Sequence, residues 1–318
     1  MMVEVQSNKI PAILVTDLYY HFCYHPKEGL LGGFDDYIDT AVFLKNQRFN
    51  QRGIILDNHL SPEQPQDGGR VAKRLMELSD KTVPCPIGLN YSLKSIDDSA
   101  RGIKASGADL IENEIRRLGK KDRLALITVG GFTDIAIALN RLKPPRKLPV
   151  DVYFAAAFYK KQGVEYNVAL DVNGFLSVVR NKAINLIWAP CDVTEMFYDA
   201  PQELGASSSP LARYLLDRLF MYRYCKYLNE GKKPNEINWR DVFSKGSWIW
   251  SKPLFSIASG KPHIPGKEPF TLEEIPVEFD DEGKFVPEDK QSKNRRAKVV
   301  TSIDKEKLSD TLTKTLCD

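Results

Sequence analysis

The chain has 318 residues, enough for a sizeable hydrophobic core in one large α/β domain or in two smaller ones. Hydrophobic residues make up 42% and charged residues 27% of it, which are ordinary values for a folded globular protein and exclude a disordered or fibrous chain. The 45 Lys and Arg residues nearly balance the 42 Asp and Glu residues, giving a formal net charge of +3. Such a small charge does not supply the long-range field of a dedicated nucleic-acid binder, so we expect no nucleic-acid partner.

The cysteines and the hydropathy pattern indicate a cellular compartment. The five cysteines are scattered and never spaced as C-x-x-C, which predicts neither a disulfide framework nor a zinc ribbon and fits reduced thiols. The first ten residues contain Glu4, Gln6 and Lys9 where a signal peptide needs an apolar run, and no stretch reaches about 18 uninterrupted apolar residues. These features predict a cytoplasmic protein without a membrane partner.

Short apolar runs alternate with segments of helical periodicity in the first half of the chain. The run Pro11 to Thr16 is β-branched and ends at Asp17, as a buried parallel strand does before a functional loop. The elements predicted after it are a helix at 36–44, strands at 53–56 and 83–89, helices at 71–78 and 108–118, a strand at 124–129 and a helix at 134–142. This alternation predicts an α/β fold with a mostly parallel, Rossmann-like central sheet and helices on both faces.

The second half continues the alternation. We predict strands at 152–156, 185–189 and 297–302, and helices at 172–180, 211–227 and 305–316. Residues 260–294 are dense in Pro, Lys and Glu, which predicts a loop-rich segment with exposed hairpin strands. No composition break marks a boundary, so we interpret 1–318 as a single domain with this segment and an insertion at about 18–32.

Polar residues directly follow the predicted strands. Asp17 follows the first, Asp57 and Asn58 follow the second, and the pair 130–131 consists of glycines after the strand at 124–129. Ligands of open parallel sheets bind outside the carboxyl ends of the strands. Carboxylates and amides gathered there suit a hard cation such as calcium or magnesium, which takes oxygen ligands.

Asp35 and Asp36, which open the first predicted helix, have two interpretations. They can join Asp17 as cation ligands. They can also cap the helix N-terminus, where negative charge suits the helix dipole.

The order of these features resembles that of the inosine–uridine-preferring nucleoside hydrolases, over nearly the whole chain. The family signature D-x-D-x-G-x-D-D is similar to Val15-Thr-Asp17, interrupted by the insertion, followed by Gly33-Phe-Asp-Asp36. Further segments match in register: Ile54 to Asn58, Val129 to Asp134, Glu165 to Asn167, Ala189 to Thr194, and the tail Val299 to Leu316.

The resemblance implies hydrolysis of the N-glycosidic bond of a ribonucleoside, with a calcium ion binding the attacking water and the ribose hydroxyls. This reaction passes through an oxocarbenium-like ribose, which negative charge near the sugar stabilises. The resemblance also implies a homodimer or homotetramer. Carried over by position, Asp17 is the base and a metal ligand, Asp36 and the Val129 carbonyl are further ligands, and Asn58, Glu165 and Asn167 bind the ribose.

One family segment departs from its pattern here. The family carries a final ligand Asp, preceded by a His that assists the leaving base, in a segment reading roughly P-L-H-D-P. The best match is Pro253-Leu-Phe-Ser-Ile257, which puts Phe255 at the place of the proton donor and Ser256 at the place of the carboxylate. A serine hydroxyl can ligate calcium without adding charge, so we expect Ser256 to be a weak ligand and Phe255 to face the substrate.

The insertion and the aromatic residues offer replacements for the missing histidine. His21 and His25 follow Asp17 at intervals of four, which places all three on one face of a helix; the alternative is that both histidines are solvated. Trp248 and Tyr222 can stack on a nucleobase, and the alternative is ordinary core packing. Trp248 is therefore a predicted substrate-binding residue.

A competing interpretation is a catalytically impaired nucleoside- or ribose-binding protein on the same fold. It would retain Asn58, Glu165 and Asn167 without an efficient cation site. Val15 occupies the position where haloacid-dehalogenase-type phosphatases need their nucleophile, and no glycine-rich phosphate loop follows the first strand, so those classes are disfavoured.

Overall fold

The computed structural model describes residues 9–18, 34–57, 68–119, 122–143, 147–259, 268–287 and 295–317. The strands are β1 (Ile10–Thr16), β2 (Phe49–Leu56), β3 (Leu124–Thr128), β4 (Val150–Ala155), β5 (Asn185–Ala189), β6 (Met196–Tyr198), β7 (Ser247–Ile249), β8 (Phe270–Pro276) and β9 (Arg296–Ile303). The helices are α1 (Asp35–Lys45), α2 (Gly68–Leu78), α3 (Ser106–Arg117), α4 (Thr133–Leu142), α5 (Tyr166–Leu170), α6 (Val172–Val179), α7 (Cys191–Thr194), α8 (Ala200–Gly205), α9 (Pro210–Asn229), α10 (Trp239–Ser244), α11 (Lys252–Ala258) and α12 (Lys305–Cys317).

Seven of these strands form one sheet in the order β2-β1-β3-β4-β5-β9-β8. Every neighbouring pair is parallel except β8 and β9, which pair antiparallel at one edge. The strands β6 and β7 form a separate antiparallel ribbon. The predicted α/β class with a mostly parallel central sheet is confirmed.

The sheet separates two hydrophobic layers, because successive side chains of a strand point to opposite faces. Along β1, Ala12 and Leu14 belong to one buried cluster, whereas Ile13 and Val15 belong to the other. The first cluster takes its helical side chains mainly from α1, α9, α11 and α12, and the second from α3, α4 and α6. The central strands are therefore apolar on both faces, as the uninterrupted runs in the sequence predict.

The strand predicted at 83–89 is wrong. Within this segment only Ile87 forms a bridge, to Leu56. The carbonyls of Pro84 and Pro86 accept hydrogen bonds from the backbone of β2, but proline has no N–H with which to continue a ladder. The segment therefore lies along the outer side of β2 as irregular chain.

Several predictions concern residues outside the described ranges. Asn58, His21, His25 and nearly all of the insertion at 18–32 lie there, and the single-domain organisation stays a prediction. The segment predicted to be loop-rich contains β8, which pairs with β9 as an exposed antiparallel strand. None of the helices within the described ranges combines the length and apolarity needed to cross a membrane.

Candidate active site

The carboxyl ends of β1, β2 and β3 are joined through Asp57. Its backbone N–H donates to the Thr16 carbonyl at 2.8 Å, and its Oδ2 accepts from the Gly131 N–H at 2.7 Å. Asp17, the residue directly after β1, is 8% exposed, and Asp57, directly after β2, is 3% exposed. The two carboxylates predicted at the strand ends are thus buried at the same edge of the sheet.

The turn after β3 packs directly against Asp17. A Cβ added at Gly130 would lie 2.8 Å from the backbone nitrogen of Asp17, closer than real Cβ atoms approach. Glycine at this position therefore permits the close approach of the two strand ends. It also brings the neighbouring carbonyl of Val129 to this edge.

Asp36, in the first turn of α1, faces β1. Thr16 Oγ1 donates to Asp36 Oδ1 at 2.8 Å, and the carboxyls of Asp36 and Asp17 share a hydrogen bond. Such a bond requires one proton between the two carboxyls. The N-cap residue of α1 is Phe34 and no side chain caps the helix, so the predicted capping by Asp35 or Asp36 is wrong, whereas their predicted place in the first turn, where negative charge suits the helix dipole, is confirmed.

The carboxyls of Asp17, Asp35 and Asp36 hold their protons more tightly than ordinary aspartates. Burial raises the pKa of Asp17 to about 7, with the charge of Asp57 adding to the rise and the hydrogen bond from Asp36 opposing it. Burial and the charge of Asp17 raise the pKa of Asp36 well above its usual range, and burial raises the pKa of Asp35 to about 8. Burial thus disfavours the ionised forms of this group, and without a bound cation its carboxyls retain protons near neutral pH.

A buried lysine, Lys252 of α11, pairs with Asp39, which lies one turn after Asp35 on α1. Ser251 Oγ and Lys252 Nζ both donate to the carboxylate of Asp39, and the side chains of Lys252 and Asp39 are 4% and 2% exposed. The positive charge of Lys252 opposes the rise in the pKa of Asp35. Lys252 mainly neutralises Asp39, so it offsets only part of the negative charge of the carboxylate group.

The segment from Glu165 to Asn167 approaches the same edge. Glu165 caps α5, since its Oε2 accepts from the N–H groups of Ala157 at 3.2 Å and Asn167 at 3.0 Å. Asn167 Nδ2 donates to the Val129 carbonyl at 3.2 Å. Asn167 Oδ1 is buried and forms no hydrogen bond with any described residue, so it is an acceptor suited to a ligand hydroxyl.

Phe255 and Ser256 lie on α11 after Lys252, whose Nζ is 5.7 Å from the centre of the Phe255 ring. Phe255 is 2% exposed and packs in the core, and Ser256 borders a cavity together with Lys45. Lys45 ends the helix in which Asp36 occupies the first turn, about 14 Å away along the helix axis at about 1.5 Å per residue. Within the described residues, the Ser256 side chain forms no hydrogen bond with Asp17 or Asp36, and the roles of Ser256 as a ligand and of Phe255 as a substrate contact stay predictions.

The two aromatic candidates differ in position. Trp248 is 48% exposed and lies opposite Phe197 in the β6–β7 ribbon, with ring centroids 5.6 Å apart. No contact connects Trp248 with Asp17 or Asp36 within the described residues. Burial and then the charge of Asp35 raise the pKa of Tyr222 on α9, which indicates that Tyr222 lies near the site.

Sequence reasoning missed Asp39, Ser251 and Lys252. Asp39 lies one turn after Asp35 and therefore on the same helix face, a spacing readable from the sequence. Pro253 was a second signal, because proline favours the first turn of a helix. It marks the start of α11 and places Ser251 and Lys252 at its N-terminal end.

Few side chains around Asp17 are available to hold a calcium ion. Within the described part of the chain, no three His, Cys, Asp or Glu side chains form a metal-binding group. The available donors are the carboxylates of Asp17 and Asp36, the Val129 carbonyl and the unpartnered Asn167 Oδ1. All are oxygens, which suits a hard cation such as calcium or magnesium, and two carboxylates imply modest affinity.

These features define an α/β protein with an acidic group at the carboxyl edge of its sheet. Solved structures with a similar fold include an inosine–uridine-preferring nucleoside hydrolase from Bacillus anthracis, with a TM-score of 0.58 and 12% identity over 96% of this chain and 99% of that one. Another is a nucleoside hydrolase-related protein from Saccharophagus degradans, described as associated with carbohydrate metabolism, with a TM-score of 0.51 and 13% identity over 97% of this chain and 71% of that one. No protein-family model and no curated protein sequence matches the chain. The chain therefore has the fold of the nucleoside hydrolases.

Proposed function

We propose that the chain is a hydrolase that cleaves the N-glycosidic bond of a ribonucleoside or related riboside. The observation that carries the proposal is the buried Asp17–Asp36 pair beside the unpartnered Asn167 Oδ1, in a chain with the nucleoside hydrolase fold. A reaction with an oxocarbenium-like transition state needs negative charge at the ribose and oxygen acceptors for its hydroxyls. Both requirements are met by residues of this group.

The residues proposed to hold calcium are Asp17, Asp36 and, through its carbonyl, Val129. A bound calcium ion would lower the pKa of a coordinated water and orient it. The excess of carboxylates over cations around Asp17 supports this assignment, because a dication stabilises the ionised forms that burial, and then the neighbouring carboxylates, disfavour. The hydrogen bond from Thr16 fixes the orientation of Asp36.

Asp17 is the proposed general base. It is buried directly after β1 and its carboxyl is held in place by the hydrogen bond with Asp36, and a general base depends first on such positioning. Asn167 Oδ1 is proposed to accept a hydrogen bond from a ribose hydroxyl, together with the second oxygen of Glu165. Such a buried pairing would reject deoxyribosides, which leave the acceptors unsatisfied.

No described residue is assigned here to donate a proton to the departing base. The histidines of the chain, His21, His25, His59 and His263, all lie outside the described residues. The family segment P-L-H-D-P can also be aligned four residues earlier, at the start of α11, where Ser251-Lys-Pro253 stands for H-D-P and only Pro253 is identical. In this register a serine replaces the histidine, and a lysine replaces the carboxylate.

The Lys252–Asp39 pair favours the second candidate, a nucleoside- or ribose-binding protein on the same fold. An ammonium close to the carboxylates competes with a dication for their charge. The ribose acceptors would still bind the sugar. Turnover and sugar binding therefore need separate measurements.

The proposed base is tested by Asp17→Asn, assayed for release of free base from a panel of nucleosides and from nitrophenyl riboside. We expect turnover to fall by about two to four orders of magnitude, the range typical of a general base. Glu114→Gln is the matched control, because Glu114 is 5% exposed and pairs with Arg117 on α3, away from the strand ends. Wild-type turnover in Asp17→Asn would reject the assignment.

Calorimetry with ribose and inosine separates the two candidate functions. A binding protein would show no release of base from any substrate, yet would bind ribose and lose that binding in Asn167→Ala. A hydrolase would release base and would lose affinity in the same variant. Absence of both binding and turnover would contradict both candidates.

A further inference from the structure

A second cavity lies at the opposite, amino edge of the sheet. It has a volume of about 790 Å³ and is bordered by residues at the starts of β4, β5 and β9 and by the end of β8. Strands of five or six residues separate it from the acidic group by about 17–20 Å. It is therefore a different site from the carboxylate group described above.

The charge of this cavity is unbalanced. Two acidic residues line it, and both have partners: Asp151 accepts from Arg123 Nε at 2.8 Å, and Glu274 accepts from Arg296 Nε at 3.2 Å. The remaining basic residues of the lining have no ion pair with any described residue. They are Lys147, Lys182, Arg295 and Lys298.

Arg295 is the residue that points most directly to a ligand. Its Nη2 donates to the Ile184 carbonyl at 2.9 Å, but its Nε is buried and has no hydrogen-bond partner among the described residues. Burial also lowers the pKa of this guanidinium, as expected where no anion compensates the loss of water. A buried N–H without a partner is costly, and an anion would satisfy it.

The walls of the cavity indicate the kind of anion. Ile187, Ile257 and Leu272 line it beside the basic residues, so one side is apolar. Its volume lies within the range of sites for small organic ligands, roughly 300–1,000 Å³. Several positive charges around one guanidinium suit a phosphoryl dianion, and the apolar wall suits the organic part of the same molecule.

We propose that this cavity is a binding site for a small organic phosphate, whose phosphoryl group is held by Arg295 with Lys147, Lys182 and Lys298. The guanidinium supplies the buried Nε–H and fixes the phosphoryl group. The lysines supply charge at the mouth, and the apolar wall contacts the organic part. The proposal does not depend on the activity of the carboxylate group at the other edge.

The test is isothermal titration calorimetry at low and moderate salt with phenyl phosphate, AMP and, as the uncharged counterpart of phenyl phosphate, phenol. We expect both phosphates to bind with submillimolar affinity that weakens as salt rises, and we expect Arg295→Gln to weaken them at least about tenfold. Lys314→Gln is the control, since Lys314 is a lysine of a different cavity. Asp17→Asn should bind phenyl phosphate as the wild type does, which separates this site from the carboxylate group.

A second pair of substitutions protects the test against misfolding of the Arg295 variant. Lys182 and Lys298 are exposed, so Lys182→Gln with Lys298→Gln leaves the packing intact and should also weaken phosphate binding. The proposal is overturned if wild type binds no phosphate ester below about 5 mM. It is also overturned if phenyl phosphate and phenol bind equally, or if neither set of variants changes the affinity for phenyl phosphate.

Discussion

Two sets of buried aspartates in this fold have opposite surroundings. Asp171 Oδ1 accepts from the Gly174 N–H at 2.9 Å, and its Oδ2 accepts from Thr133 Oγ1 at 2.6 Å and the Leu93 N–H at 3.2 Å. Asp17 and Asp36, equally buried, have mainly each other and Thr16. A carboxylate surrounded by donors stabilises the fold, whereas carboxylates that face one another require a proton or a cation.

The same distinction applies to Asp134, which accepts from the Leu89 N–H at 3.0 Å and the Ala108 N–H at 2.9 Å. Asp134 and Asp171 connect loops to helices, and their negative charge is stabilised by fixed dipoles. Asp17 and Asp36 connect the end of β1 to the start of α1 at the expense of electrostatic repulsion. We infer that the first set serves folding and the second set serves a ligand.

The largest effect expected from this comparison is on the free energy of unfolding. Asp171→Ala should lower it by about 3–5 kcal/mol, because it leaves buried donors without a partner. Asp17→Asn should leave it unchanged or raise it, because the substitution removes a buried charge that faces Asp36. Urea denaturation of both variants, without added metal, measures the difference. Equal destabilisation by the two substitutions would show that both aspartates are structural.

The next effect concerns calcium affinity. Ser251→His with Lys252→Asp and Asp39→Asn would add a carboxylate at the start of α11 without leaving Asp39 as an unpaired buried charge. We expect calcium to bind at least about tenfold more tightly, since a third carboxylate raises the charge of the donor set. Titration calorimetry with calcium measures this.

The sequence-derived alternative provides the matched comparison. Phe255→His with Ser256→Asp restores the family residues in the register predicted from sequence alone. Because Phe255 is 2% exposed within the core, we expect this pair to destabilise the chain without tightening calcium binding. A gain in calcium affinity from this pair, and none from the α11 triple variant, would reverse our assignment of the register.

The strands and most helices were predictable because their signal is local. The buried strands β1, β3 and β5 are apolar runs, and α3 and α12 have a clear helical period. The prediction of a strand at 83–89 was wrong because an apolar run also occurs in irregular chain. The prolines that interrupt this run cannot donate to a strand ladder and favour irregular chain. Local patterns therefore identify an element better than they distinguish a strand from an extended edge segment.

The site was predictable only where its residues follow strands. Asp17 and Asp57 met at one edge because parallel strands end together. The alignment of α11 with the family segment P-L-H-D-P could not be derived in the same way. Pro253 can be aligned with the first or with the last proline of that segment, and the two choices shift the aligned residues by four positions. The contact of Lys252 with Asp39 joins residues far apart in the chain, and no local pattern reports such a pair.

The last effect is the dependence of stability on pH. The folded chain raises the pKa of Asp17 to about 7 and that of Asp35 to about 8, and it raises that of Asp36 well above the ordinary value of 3.8. Between about pH 4, the ordinary pKa, and about pH 8, the folded state therefore keeps protons that the unfolded state has released. The free energy of unfolding consequently falls as the pH rises through this interval. With EDTA present, the melting temperature should decrease from pH 5 to pH 8, by about 2–4 °C for each kcal/mol lost. Excess calcium should reduce the decrease, because it replaces the protons at Asp17 and Asp36, and Asp17→Asn should show a shallower slope than the Glu114→Gln control. A melting temperature that is constant or rises over this interval in EDTA would mean that the carboxylates are already compensated by charges elsewhere in the chain.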